Sequence, residues 1–118
     1  MAKEYVELLE AMLQPAIRAL DGNTTVVIKH SFKGAAAYVN GRICITLTPA
    51  GLAMKLPEKS WARLVKRDAT TSRYFSKGAI KKEYVLLPLS IRNNTRKLKY
   101  WAGRSFIHVL ALRRSKRE

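Results

Sequence analysis

The dipeptide Asn40-Gly41 constrains the fold of this chain more than any other sequence feature. Both residue types accept positive φ, which the two-residue turn of a β-hairpin requires at its two central positions. The flanking segments, 34–39 and 42–48, are rich in apolar and β-branched residues. The sequence therefore predicts two antiparallel strands joined at this turn.

The second strand of this hairpin alternates in polarity. Ile43, Ile45 and Leu47 occupy every second position, which is the pattern of a strand with one face in a core. The alternation predicts that Cys44 lies on the opposite face, partly exposed, where a structural thiol is favoured over a reactive one.

Further strands are expected on either side of this hairpin. Pro49-Ala50-Gly51 predicts a second turn into a strand that ends near Leu56, and the β-branched run 24–29 predicts a strand that precedes the hairpin. Residues 82–87 predict a last strand, whereas the polar, turn-rich segment 69–81 predicts a loop. The expected sheet has about five strands, a meander over 24–56 plus strand 82–87.

Three helices are expected, over 3–20, 58–68 and 95–112. The first has apolar residues at three- and four-residue spacing around Pro15, and Gly22 is expected to cap it in left-handed geometry. Pro57 favours the start of the second helix, and the side chains of 93–95 are expected to cap the third. Residues 113–118 are expected to be a frayed basic tail. These elements predict an α+β fold in one domain over 1–118.

The charge of the chain is strongly asymmetric. The net charge is +15, yet residues 1–28 carry a net charge of −2 because Glu4, Glu7, Glu10 and Asp21 outnumber the bases. Residues 29–118 therefore carry +17. A positive surface of this size attracts polyanions, of which nucleic acid is the commonest, and an acidic protein is the competing partner.

The candidate contact residues for nucleic acid or an acidic partner lie in three basic clusters. Tyr74, Phe75 and Tyr100 are interleaved with them and could stack on unpaired bases. No helix-turn-helix, RNA-recognition or zinc-finger pattern is present, so sequence-specific readout is not expected. The candidates are Lys59, Arg63, Lys66, Arg67 and Arg73, then Lys77, Lys81 and Lys82, and finally Arg96, Lys97, Lys99 and Arg104.

Catalysis finds little support in the sequence. His30 and His108 have no metal-ligand spacing, and Cys44 is the only cysteine. We expect no catalytic residue, no metal and no cofactor. Without an apolar run of about 20 residues or a secretory signal, we expect no membrane association and a cytoplasmic location.

Four segments of the chain carry a family likeness: Phe32–Arg42, Gly51–Pro57, Tyr84–Pro88 and the helix Leu98–Val109 with Trp101. Together they resemble the N-terminal domain of the TfoX/Sxy family, which is associated with regulation of bacterial natural competence. The resemblance extends from about Lys29 to Leu110 and consists of core and turn residues. It implies a two-layer fold with an antiparallel sheet and helices mainly on one side.

The expected function is a non-enzymatic regulatory or interaction domain, acting in transcription or competence regulation through a basic surface. A non-sequence-specific DNA- or RNA-binding protein is one alternative. A homodimeric protein–protein adaptor is the other, because the first helix is acidic and broadly apolar.

Overall fold

The computed structural model describes the backbone of residues 2–31, 34–49, 51–57, 59–60, 63, 72–76, 79–87 and 89–117. It describes side chains over 4–31, 34–49, 51–57, 59, 60, 63, 84–87 and 90–112. Most of the helix predicted over 58–68 lies outside these residues, although Lys59, Ser60 and Arg63 have helical backbone.

In the described residues a six-stranded sheet is combined with helices, which confirms the predicted α+β class. The strand order is β1-β2-β3-β4-β6-β5, and every pair of neighbours is antiparallel. The elements are α1 (Ala2–Arg18), β1 (Val26–His30), β2 (Ala35–Val39), β3 (Arg42–Thr48), β4 (Gly51–Lys55), β5 (Ser72–Ser76), β6 (Ala79–Leu86), α2 (Leu89–Arg92) and α3 (Thr95–Arg117).

The two predicted turns of the meander are confirmed. Asn40 has φ of 48° and Gly41 has φ of 85°, as the hairpin between β2 and β3 requires. The Oδ1 atom of Asn40 accepts a hydrogen bond of 2.8 Å from the amide of Thr25, which ties this turn to the start of β1. The second turn also forms, because Thr48 pairs with Gly51 across β3 and β4.

The segment predicted as a loop over 69–81 contains a strand, so that prediction is wrong for 72–76 and 79–81. β5 pairs with β6, which begins at Ala79 rather than Lys82. As an edge strand with one hydrogen-bonded neighbour, β5 needs no continuous apolar pattern. β5 has a serine at each end, so hydrophobic alternation in the sequence did not predict this strand.

Both long helices pack on one face of the sheet and against each other. α1 contacts β1, β2 and β3, while α3 contacts β2, β3 and β4. The core between them includes Leu9 and Leu13 of α1, Ile45 of β3 and Phe106 of α3, all fully buried. This confirms the predicted placement of the helices over 3–20 and 95–112, and α3 extends beyond 112 to Arg117.

The ends of the helices differ in part from expectation. Gly22 does not have positive φ, so the predicted left-handed cap is wrong. Instead Asp21 organises the exit from α1, because its Oδ1 atom accepts hydrogen bonds from the Asn23 amide at 2.9 Å and the Thr24 hydroxyl at 3.1 Å. α1 continues through Pro15 as one helix from Ala2 to Arg18.

Cys44 lies in the core and not on the partly exposed face predicted for it. The pairing of β2 and β3 shifts by one residue between Ala37 and Tyr38, so Cys44 and Ile45 are both fully buried. A bulge of this kind breaks the strict alternation of a strand. The Cys44 thiol donates a hydrogen bond of 3.3 Å to the Ala37 carbonyl.

Candidate nucleic-acid interface

The first turn of α3 is fixed by a side-chain cap and carries bases. The Oδ1 atom of Asn94 accepts a 3.0 Å hydrogen bond from the Lys97 amide, which confirms a predicted cap. Arg96 and Lys97 follow directly, and no acid is present in the first turn. Bases at a helix N-terminus oppose the helix dipole, so these two residues do not serve helix stability.

The inward face of α3 determines which residues point to solvent. Leu98, Trp101 and Phe106 pack in the core, at spacings that keep them on one side of the helix. The hydroxyl of Ser105, which is fully buried, donates a hydrogen bond of 3.2 Å to the Cys44 carbonyl and thereby joins α3 to β3. The rotation of α3 about its axis is fixed by these contacts.

The solvent-exposed side of α3 presents four exposed Lys and Arg residues, and we call them the basic face. They surround Tyr100, whose side chain is 49% exposed. The Tyr100 ring meets the ring of buried Trp101 edge-on, with centroids 4.9 Å apart and planes at 83°. The members of the basic face are Arg96, Lys97, Lys99 and Arg104.

A groove of about 370 Å³ lies between α1 and α3, and we call it the α1–α3 groove. Its walls are mostly apolar, and Arg96 and Lys99 of the basic face line it together with Tyr100. A Cβ atom added to Gly103 would meet nothing within 4 Å, so the groove is open at that residue. Its lining residues are Ala16, Ala19, Leu20, Arg96, Lys99, Tyr100, Gly103 and Ile107.

The other predicted contact residues are only partly described. Lys59 and Arg63 are exposed. Arg73 lies on β5, in the hairpin that also contains Lys81 and Lys82, and not in a loop as predicted for 69–81. The side chains of these three hairpin residues lie outside the described set, and Lys66, Arg67 and Lys77 lie outside the described residues altogether.

Arg96, Lys99 and Tyr100 of the groove were candidates from the sequence, whereas the other groove residues were missed, although one signal pointed to Gly103. Gly103 interrupts a helical pattern at a cost of about 1 kcal/mol relative to alanine, so a glycine there calls for a packing or functional reason. The exposure of Ile107, which is 60% beside fully buried Phe106, is known only from the folded chain. Ala16 and Ala19 belong to the broadly apolar helix predicted over 3–20, whose packing partner is unknown until the chain is folded.

Cys44 is the only cysteine in the chain, and its thiol lies in the core. Burial raises the pKa of the Cys44 thiol to about 12, an effect that backbone hydrogen bonding and Lys55 only partly offset. A thiol in that state is a poor nucleophile at neutral pH. Among the described residues no group of three or more His, Cys, Asp and Glu side chains is arranged to hold a metal ion.

No helix among the described residues is both long and apolar enough to cross a membrane. A comparison of the chain with protein-family models, with curated proteins and with solved structures finds no match. The resemblance to the TfoX N-terminal domain therefore stays a prediction from sequence.

Proposed function

We propose that this protein is a non-enzymatic regulatory or interaction module of the cytoplasm that contacts nucleic acid through the basic face of α3. Recognition is directed at the phosphate backbone and does not depend on base sequence. A role in transcription or competence regulation is the pathway that the TfoX resemblance implies.

One observation carries the proposal: α3 contains eight Lys and Arg residues and no Asp or Glu. Like charges three or four residues apart on a helix, such as Arg96 and Lys99, cost a few tenths of a kcal/mol each. A helix selected only for solubility would gain stability from interspersed acids. A bound polyanion removes the repulsion, and phosphates are the usual polyanionic partner of Lys and Arg.

The geometry of α3 supports the same conclusion. The buried side of the helix is joined to the sheet through Ser105 and Phe106, so the basic face is held in a fixed orientation. A preorganised set of cations loses less entropy on binding than the same charges on a flexible tail.

The proposal is tested by measuring the affinity of the protein for labelled duplex DNA as a function of salt. If all four members of the basic face contact phosphates, the slope of log K against log[salt] is about −3.6. Binding that is absent at low salt, or that does not respond to salt, contradicts the proposal.

Two matched double variants separate the basic face from net charge alone. Lys97→Glu with Arg104→Glu, and Arg18→Glu with Lys29→Glu, each change the net charge from +15 to +11. All four side chains are exposed. We expect the first variant to lose most of its affinity and about two units of salt slope, and the second to lose little. Equal losses would show that net charge, not the basic face, drives binding.

A homodimeric adaptor is the second candidate function, and the outer face of α1 favours it. Leu8 is 45% exposed between exposed Glu7 and Glu10, an apolar and acidic combination that suits a protein partner. Light scattering at high concentration tests this candidate. A strict monomer excludes the homodimer, and a dimer that Leu8→Ser dissociates supports it.

A further inference from the structure

We propose that the α1–α3 groove binds one unpaired nucleobase against Tyr100, so that the protein prefers single-stranded nucleic acid over a duplex. This inference rests on the proposed function. To the proposed function it adds a distinct subsite and the class of ligand that this subsite binds.

The groove has the size and polarity of a base-binding subsite. Its volume of about 370 Å³ lies at the lower end of the range for small-molecule sites, roughly 300–1,000 Å³. Ala16 of α1 and Ala19 and Leu20, which directly follow α1, form one wall, and Ile107 of α3 contributes to the other. Apolar walls of this kind suit the flat face of a base. In a duplex that face is covered by stacked neighbours, so only an unpaired base can enter.

Tyr100 is a partly restrained stacking partner for such a base. About half of its side chain is exposed, and the edge-on contact with Trp101 restrains the rest. Trp101 itself is 5% exposed and belongs to the core. An aromatic ring that is already fixed loses little rotamer freedom when a base stacks on it.

Arg96 and Lys99 line the groove, where they can contact phosphates of the nucleic-acid strand whose base is bound. Arg96 precedes Tyr100 by one helical turn and therefore lies on the same side of α3, and Lys99 also lines the groove. Lys97 and Arg104 lie outside the groove lining and extend the positive track along the outer surface. Aromatic residues flanked by Lys and Arg side chains are the usual arrangement in proteins that bind single-stranded nucleic acid.

Gly103 keeps the subsite open and provides the means to close it. A Cβ atom at this residue meets no heavy atom within 4 Å, so a larger side chain can be accommodated without a clash. Replacement of a glycine inside a helix also favours the helix. Gly103→Leu should therefore fill the groove and leave the fold intact.

The test compares three probes at one salt concentration: an oligothymidylate of about 16 nucleotides, near the upper end of common site sizes, an abasic strand of the same length, and a duplex. We expect the wild-type protein to bind oligothymidylate more tightly than either other probe. Tyr100→Leu and Gly103→Leu should each reduce the affinity for oligothymidylate by roughly 5- to 150-fold, which corresponds to the loss of one stacked base. Their affinity for the abasic strand should remain unchanged.

Two control variants lie outside the groove. Tyr38→Leu removes an aromatic ring that lies near Lys29, whose Nζ atom is 5.4 Å from the ring centroid. Gly22→Leu fills a second position where an added Cβ has no neighbour. Both should bind all three probes like the wild type, and circular dichroism should show that all four variants are folded.

The outcomes separate this inference from the proposed function. Equal wild-type affinity for oligothymidylate and the abasic strand overturns the base subsite, and duplex binding then leaves the proposed function standing. Wild-type behaviour of both groove variants also overturns the subsite. If Gly103→Leu instead changes the oligomeric state in light scattering, the groove belongs to a second copy of the chain. Absence of binding to every probe overturns both proposals.

Discussion

The buried centre of the sheet, strands β2 to β4, and the basic face of α3 differ in what constrains their residues. At the centre most side chains are buried, and Ala35, Ile45 and Leu52 are fully buried. On the basic face, Lys97 and Arg104 are exposed, and no stability term explains why both are basic. This difference is the reason why the proposed function is placed on the outer surface and not at the centre of the sheet.

The largest expected effect separates two neighbours in α3. Phe106 is fully buried and Ile107 is 60% exposed. Phe106→Ala should lower the free energy of unfolding by about 3–5 kcal/mol, because it removes a large core side chain and leaves a cavity. Ile107→Ala should change it by less than about 1 kcal/mol. Urea denaturation measures both values, and similar losses would break the distinction between the two sides of the helix.

The next effect concerns two glycines. A Cβ atom at Gly34 would overlap the carbonyl oxygen of Leu47, which belongs to the backbone of β3 and cannot move aside. Gly34→Ala should therefore cost about 3 kcal/mol in the free energy of unfolding. Gly22→Ala, where the added atom meets nothing, serves as the control and should be nearly neutral. A neutral Gly34→Ala would mean that β2 and β3 do not approach as closely as described.

The smallest effect over the range tested, up to pH 10.5, is the pH dependence from Cys44. In the folded chain the thiol has a pKa of about 12, raised from 9.0 by burial, so it stays protonated where the unfolded chain loses its proton. This contribution to stability is complete below pH 9 and is lost as the pH rises toward 12. Between these values the loss is about 1.4 kcal/mol per pH unit.

Urea denaturation between pH 7 and pH 10.5, in the presence of a reductant, tests this dependence. The free energy of unfolding of the wild type should fall more steeply above pH 9 than that of Cys44→Ala. Identical slopes would show that the thiol is as solvated in the folded chain as in the unfolded one. The wild type and Cys44→Ala should bind nucleic acid with the same affinity, because Cys44 lies in the core and not on the basic face.

Part of the candidate site could be predicted because it depends on local information. The absence of acids over α3 is visible in the sequence, and helical spacing already places Leu98 on the side of the helix opposite Arg96. The α1–α3 groove could not be predicted in this way. It exists only because two helices far apart in the chain pack side by side, with small residues where they meet.

The sequence by itself determined the Asn40-Gly41 turn, the meander around it and the amphipathic helices. Each of these depends on φ preferences or on the spacing of apolar residues within a few positions. Only the tertiary structure decided that Cys44 faces the core, that β5 joins the sheet and that a groove opens beside Tyr100. These features depend on a bulge, an edge pairing and a helix–helix contact, whose energies come from residues distant in sequence.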